Sequence, residues 1–222
     1  MDRQQYFDAW AALHGGYDPR RNRLALAWMS VAHACARPLV AARFTPNAVT
    51  LLGLIVGCLA IWPAWIGGRA ALWVPVVVII AALLDNLDGA VAVMTSRTSR
   101  WGFVLDSTCD RITDAAFLAV LWLLGAPAWA CAVGALLTLL VEYARARSAA
   151  AGMAEIGVVT VWERPMRVAV VFWFVLGAGL YPSSSTSWVS AAACGAVALG
   201  AVAFGQILTV ARRRLSQEQA EN

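Results

Sequence analysis

The sequence contains no lysine: all 17 of its basic residues are arginine, set against 13 acidic residues and two histidines. Charged residues of either sign make up only 14% of the 222 residues, while 61% are apolar. Soluble domains run near a quarter charged and under half apolar, so the scarcity of charge excludes a freely soluble globule, and the wealth of apolar residues excludes disorder. The five cysteines, at positions 35, 58, 109, 131 and 194, include no C-x-x-C pair. That argues against a disulfide framework or a zinc site and for small buried side chains. The only histidines, His14 and His33, lie upstream of the acidic residues at mid-chain and read as interfacial or packed. No signal peptide, internal repeat or low-complexity segment is visible apart from the serines around Ser183–Ser187.

What is present is a series of long apolar runs. Thr45-Pro46-Asn47 reads as a helix start, with Thr45 as cap and Pro46 in the first turn. Spans follow at about Asn47–Gly67, Ala70 to Asp85, Phe103–Leu124, Ala128–Arg147, Pro165–Tyr181 and Trp188–Ala211. Each approaches the roughly 20 residues that a membrane-spanning helix needs. The expected fold is all-α: a polytopic membrane protein of six transmembrane helices preceded by an interfacial amphipathic helix, whose apolar residues recur at helical spacing within 22–42. Residues 1–44 form the N-terminal interfacial segment, 45–213 the membrane domain and 214–222 a tail. Sixteen of the 17 arginines fall in the N-terminal segment, near the second-to-third or fourth-to-fifth junction, or at the C-terminus; only Arg69 does not. By the positive-inside rule both termini and those junctions are cytoplasmic. The positive charge therefore marks membrane orientation rather than nucleic-acid binding.

Against that background the carboxylates are out of place. Asp85 and Asp88 end an uncharged run and share one helix face; Asp106, Asp110 and Asp114 follow at steps of four. Each carboxylate placed deep in a bilayer costs about 3 kcal/mol, and the group repels itself. A divalent cation with a taste for hard oxygen ligands, Mg²⁺, Mn²⁺ or Ca²⁺, would relieve both costs. Pairing with Arg97, Arg100 and Arg111 is the structural alternative, and the two are compatible. Gly89 and Gly102 flank the acidic set and would let a ligand approach the backbone closely.

The run Asp85-Asn86-Leu87-Asp88-Gly89-Ala90-Val91-Ala92-Val93, then Gly102, Asp106 and Asp110, resembles the signature Asp-x2-Asp-Gly-x2-Ala-Arg-x8-Gly-x3-Asp-x3-Asp of the CDP-alcohol phosphatidyltransferases. One position departs: Val93 stands where the signature has Arg, and Arg97 or Arg100 are candidate replacements for that charge. The resemblance implies transfer of a phosphatidyl group from CDP-diacylglycerol to an acceptor hydroxyl with release of CMP, in phospholipid biosynthesis at the inner cell membrane. It implies that Asp85, Asp88, Asp106 and Asp110 hold two Mg²⁺ or Mn²⁺ ions, and that Asp110 is also the general base. Asn47, Thr50, Gly89, Ala92 and Gly102 are then candidate contacts to the CDP moiety, although a helix cap and a packed threonine explain Asn47 and Thr50 as well. A homodimer is likewise implied.

A second cluster bears on the acceptor. Arg145 and Arg147 close the fourth span; Arg164 and Arg167 open the fifth, with Glu142 and Glu163 placed to orient them. Four guanidiniums around one loop suit a phosphate; anchoring to anionic lipid is the plain alternative. The arrangement resembles the segment that the family's phosphatidylinositol-phosphate and phosphatidylglycerophosphate synthases use for a phosphorylated polyol. Inositol 1-phosphate and glycerol 3-phosphate are the acceptors so implied, the former ahead. The competing reading, kept alive by Val93, is a degenerate member that holds CDP-lipid or metal without turnover. An ion transporter fits less well, because the acidic residues sit near one membrane face.

Overall fold

The computed structural model describes residues 1–13, 18–153 and 159–221, and His14 lies outside them. Every regular element among the described residues is helical. The α-helices are α1 (Arg3–Leu13), α2 (Arg23–Ala41), α3 (Pro46–Leu59), α4 (Ile61–Ile66), α5 (Trp73–Met94), α6 (Arg100–Leu123), α7 (Ala128–Ala150), α8 (Arg164–Leu180) and α9 (Ser185–Glu221). The all-α membrane fold expected from hydropathy is present. Four stretches are long and apolar enough to cross a bilayer: Pro46–Ile66, Gly68–Met94, Ala128–Ala150 and Pro182–Gln217. α6 falls outside that set because Asp106, Asp110, Arg111 and Asp114 interrupt its apolar run, and α8 because it has 17 residues.

Local chemistry sets the element ends. Thr45 Oγ1 accepts the N–H of Ala48 at the start of α3, and Ser99 Oγ accepts that of Gly102 at the start of α6. At the ends of α2, α5, α6 and α7 a residue with positive φ reverses the chain: Arg43, Ser96, Gly125 and Gly152. Paired backbone bonds close each of these last turns, as from Arg97 N–H to Ala92 C=O. The first span is broken between α3 and α4. Pro63 lacks the N–H that would continue the ladder to Leu59, so the helix restarts at Ile61.

By contact the chain divides into two compact units, one of residues 1–57 with 79–112 and one of residues 58–78 with 113–222. The core of the first joins Tyr6, Phe7, Met29, Ala32 and Ala36 to Val49 of α3 and to Leu87, Ala90, Val91 and Val93 of α5. α3 approaches α5 at Gly53, where a methyl group would stand 3.4 Å from Leu84 Cβ. In the second unit α7 and α9 pack through small residues. A methyl at Gly134 would lie 3.3 Å from Ala196, and one at Gly200 3.0 Å from Leu137. Such contacts suit helices that associate in lipid by close packing rather than by exclusion of water.

Candidate active site

Both halves of the acidic pattern lie in the first unit. α5 carries Asp85 and Asp88, a tight turn follows, and α6 carries Asp106 and Asp110. One carboxylate oxygen each from Asp85, Asp106 and Asp110 lies within 4.8 Å of the others. Bonds of about 2.0–2.6 Å to a hard divalent cation put opposed ligand oxygens about 4–5 Å apart. The three half-buried carboxylates therefore fit one such ion, and their all-oxygen donor set is the right chemistry for it. Arg111 Nη2, 3.4 Å from Asp110 Oδ2, offsets part of the negative charge.

Asp88 is turned differently. It is buried, accepts a 2.5 Å hydrogen bond from Thr50 Oγ1 of α3, and also accepts the Gly89 N–H. It lines, with Asp106, a cavity of about 310 Å³ whose other walls include Asn47, Thr50, Gly89, Ala92 and Gly102. All five residues expected to meet the CDP moiety are thus brought to one hollow beside the carboxylates. A methyl group added at Gly89 would meet nothing within 4 Å, so this backbone is open to the cavity. At Gly102 the space is already taken: a methyl would lie 3.0 Å from Ser99 Oγ and 3.3 Å from Asn47 Oδ1.

The cavity also takes in Arg97, Thr98 and Ser99, from the turn between the two acidic helices. Thr98 and Ser99 escape a reading of motif residues because their positions lie in the unspecified stretch of the signature. Arg97 had a signal, the need for a cation in place of the missing one at 93. Val93 itself is buried in the apolar cluster with Tyr6 and Phe7.

The basic cluster lies in the second unit, and two of its arginines, Arg145 and Arg167, are tied to acids. Arg167 is 5% exposed, bonded to Asp114 at 2.5 Å and to Glu142 at 2.8 Å. Arg145 holds Glu163 at 2.6 Å and approaches Glu142 at 3.4 Å. Glu163 precedes α8 and also accepts from the N–H and hydroxyl of Thr160. Burial pushes its carboxyl up, but the hydrogen bonds from Arg145 and Thr160 outweigh this and hold it below the usual glutamate range. Arg164 is half-buried and Arg147 exposed. The cluster is therefore a network in which Glu142 and Glu163 orient guanidiniums. Asp114, which shares the four-residue spacing of the acidic set, is engaged by Arg167.

The CDP-alcohol phosphatidyltransferase family profile matches residues 43–205. The chain is 32% identical over 182 residues to phosphatidylinositol phosphate synthase of Mycobacteroides abscessus, covering 73% of this chain and 78% of that one. Its fold is similar to the crystal structure of Mycobacterium tuberculosis phosphatidylinositol phosphate synthase in complex with manganese and citrate. There the TM-score is 0.70 and the identity 26%, over 81% of this chain and 88% of the other. The same enzyme with CDP-DAG bound matches with a TM-score of 0.62 and 27% identity, over 81% and 91% of the two chains.

Proposed function

Since the chain belongs to the CDP-alcohol phosphatidyltransferase family, we propose that it transfers the phosphatidyl group of CDP-diacylglycerol to inositol 1-phosphate, with glycerol 3-phosphate as the competing acceptor. The observation that carries this reading is the convergence of Asp85, Asp106 and Asp110 in the same unit as a cavity lined by Asp88, Asn47, Thr50 and Gly89. Asp85, Asp88, Asp106 and Asp110 would hold Mg²⁺ or Mn²⁺, two ions if Asp88 serves the second. The bound metal supplies neutralisation of the diphosphate and of the departing CMP.

The chain's own residues do the rest. The acceptor hydroxyl oxygen bonds to the phosphorus that carries diacylglycerol, the bond to the bridging oxygen breaks, and CMP leaves with the electron pair. Asp110 takes the hydroxyl proton, a role in which a positioned base contributes about 10²–10⁴-fold. Asn47, Thr50, Gly89, Ala92 and Gly102 seat the CDP moiety. The acceptor phosphate is assigned to Arg145, Arg147, Arg164 and Arg167, with Glu163 paired to Arg145 and Glu142 to Arg167. The manganese of the mycobacterial structure and the inositol phosphate of the relatives' names support this assignment.

The arginine distribution supports an inner-membrane placement with both termini and the acidic turn cytoplasmic. α6 and α8 complete six spans in this reading, residues 1–44 and 214–222 flank the membrane domain, and the working form is a homodimer. The test is CMP release from CDP-diacylglycerol by the purified protein with Mn²⁺ and each acceptor in turn. Release with inositol 1-phosphate, abolished by Asp110→Asn, is the expected result. Nucleotide binding without CMP release for any polyol phosphate would leave the degenerate-member reading in its place.

A further inference from the structure

The acidic signature ends at Asp110 and leaves Asp114, four residues on, without a role. Asp114 and its partner Arg167 are nonetheless deeply buried, 6% and 5% exposed, and are joined at 2.5 Å. An ion pair this far from water adds little stability over an apolar replacement. What the pair does do is hold other charges. Arg167 Nη1 donates to Asp114 on α6, and Nη2 donates to Glu142 on α7 at 2.8 Å. Arg145 approaches Glu142 at 3.4 Å and reaches Glu163, just before α8, at 2.6 Å. Charge alternates in sign along this chain of five side chains, all of which belong to the second unit.

The two ends of the chain differ in their contact with solvent. Asp114 and Arg167 border a cavity of about 20 Å³ whose other walls include Phe117, Leu121, Trp162 and Val171. Trp162 is buried and fixed there, its Nε1–H bonded to Thr138 Oγ1 at 2.9 Å. Hydrogen bonds between charged groups are strengthened in such low-dielectric surroundings. At the other end the side chains of Arg145, Glu142 and Glu163 keep 21%, 23% and 25% of their surface exposed. A solute can therefore meet Arg145 but not Asp114.

We propose that Asp114 is a positioning residue for the phosphorylated acceptor: it fixes Arg167 and, through Glu142, holds the Arg145 guanidinium in the geometry that receives the acceptor phosphate. This role rests on the reading of the basic cluster as the acceptor site. Charge separates it from a purely electrostatic one. Asp114, Glu142 and Glu163 set three negative charges against the two positive charges of Arg145 and Arg167. Neutralising Asp114 makes the cluster more positive, which by charge alone would draw a phosphate closer. Positioning demands the opposite. A guanidinium binds phosphate through a planar fork whose alignment matters, and a fork released from its buried anchor holds the acceptor less well.

The experiment measures the KM for inositol 1-phosphate and the KM for CDP-diacylglycerol separately, in the full chain with Mn²⁺. Asp114→Asn is expected to raise the acceptor KM about tenfold, within the roughly hundredfold that a misplacement of about 1 Å can cost, and to leave the KM for CDP-diacylglycerol unchanged. Asp114→Glu keeps the charge but moves the carboxylate, and the adjoining cavity gives its extra methylene room; the acceptor KM should rise here too. If Asp114→Asn does not fold, Asp114→Glu decides the outcome by the same comparison. Thr138→Val, which removes the Trp162 bond in the same wall, is the structural control: its melting temperature should fall with both KM values unchanged. An acceptor KM that stays level or falls in Asp114→Asn would overturn the proposal. So would a parallel rise in both KM values, or a rise in Thr138→Val equal to that in Asp114→Asn. An acceptor KM indifferent to Arg145→Gln and Arg147→Gln would instead refute the acceptor reading of the cluster, and the proposal with it.

Discussion

Replacing Asp106 by Asn removes one of three carboxylates whose oxygens lie within 4.8 Å of one another. At that separation and an effective dielectric of about 20, two unit charges repel by about 3.5 kcal/mol, and the substitution deletes two such pairs. The summed repulsion is an upper bound on the relief. Solvent around these half-buried groups and the Arg111 guanidinium 3.4 Å from Asp110 bring it to about 1–2 kcal/mol. In chelator the variant should therefore melt about 3–6 °C above the wild type. With Mn²⁺ the order should invert. Wild type at a metal concentration of 100 times Kd gains about 2.7 kcal/mol; a variant bound about 100-fold more weakly gains about 0.4 kcal/mol. The assay is thermal unfolding in detergent with and without metal, and the crossing of the two stability orders is the signature of a cation site. A variant less stable than wild type in chelator, with an unchanged response to Mn²⁺, would show that protein cations hold the carboxylates and would refute the metal argument.

Gly89→Ala places a methyl in open space within α5, so helix propensity should raise stability by up to about 1 kcal/mol. The same methyl narrows the cavity, so the KM for CDP-diacylglycerol should rise; parallel melting and kinetic measurements check the opposite signs. Val93→Arg buries a guanidinium in the cluster of Tyr6, Phe7 and Met29 and should cost about 3 kcal/mol, read as a lowered unfolding midpoint with no gain in rate. The folded-state pKa of Glu163 is depressed, so its contribution is complete above the unfolded value near 4.5 and is lost as pH falls through the lower folded value. Glu163→Gln should flatten that acid limb in a pH series of unfolding midpoints and leave stability at pH 5–8 reduced but level.

Much of this molecule is legible in the order of its residues, because the relevant physics is local. Long apolar runs demand helices in lipid whatever surrounds them. The i, i+3 and i, i+4 spacings of Asp85, Asp88, Asp106 and Asp110 put each pair on one helix face before any packing is known, and Thr45 and Ser99 cap the helices that follow them. The first span's break at Ala60 was also written locally, in Pro63, yet the length of the apolar run hid it.

Other features depended on which distant groups met. Asp88 has the same chemistry as Asp85, but Thr50, 38 residues away, engages it. Asp114 continues the acidic spacing, yet its partner is Arg167, 53 residues on. The sequence around Tyr6 gives no hint that it joins the core of the first unit, because that follows from the burial of Tyr6 and Phe7 against a helix about 80 residues downstream. Backbone periodicity and hydropathy are properties of neighbours along the chain. The choice of partner for a buried charge or an aromatic ring is made only when helices pack, since the low-dielectric interior rewards whichever opposing group arrives within bonding distance.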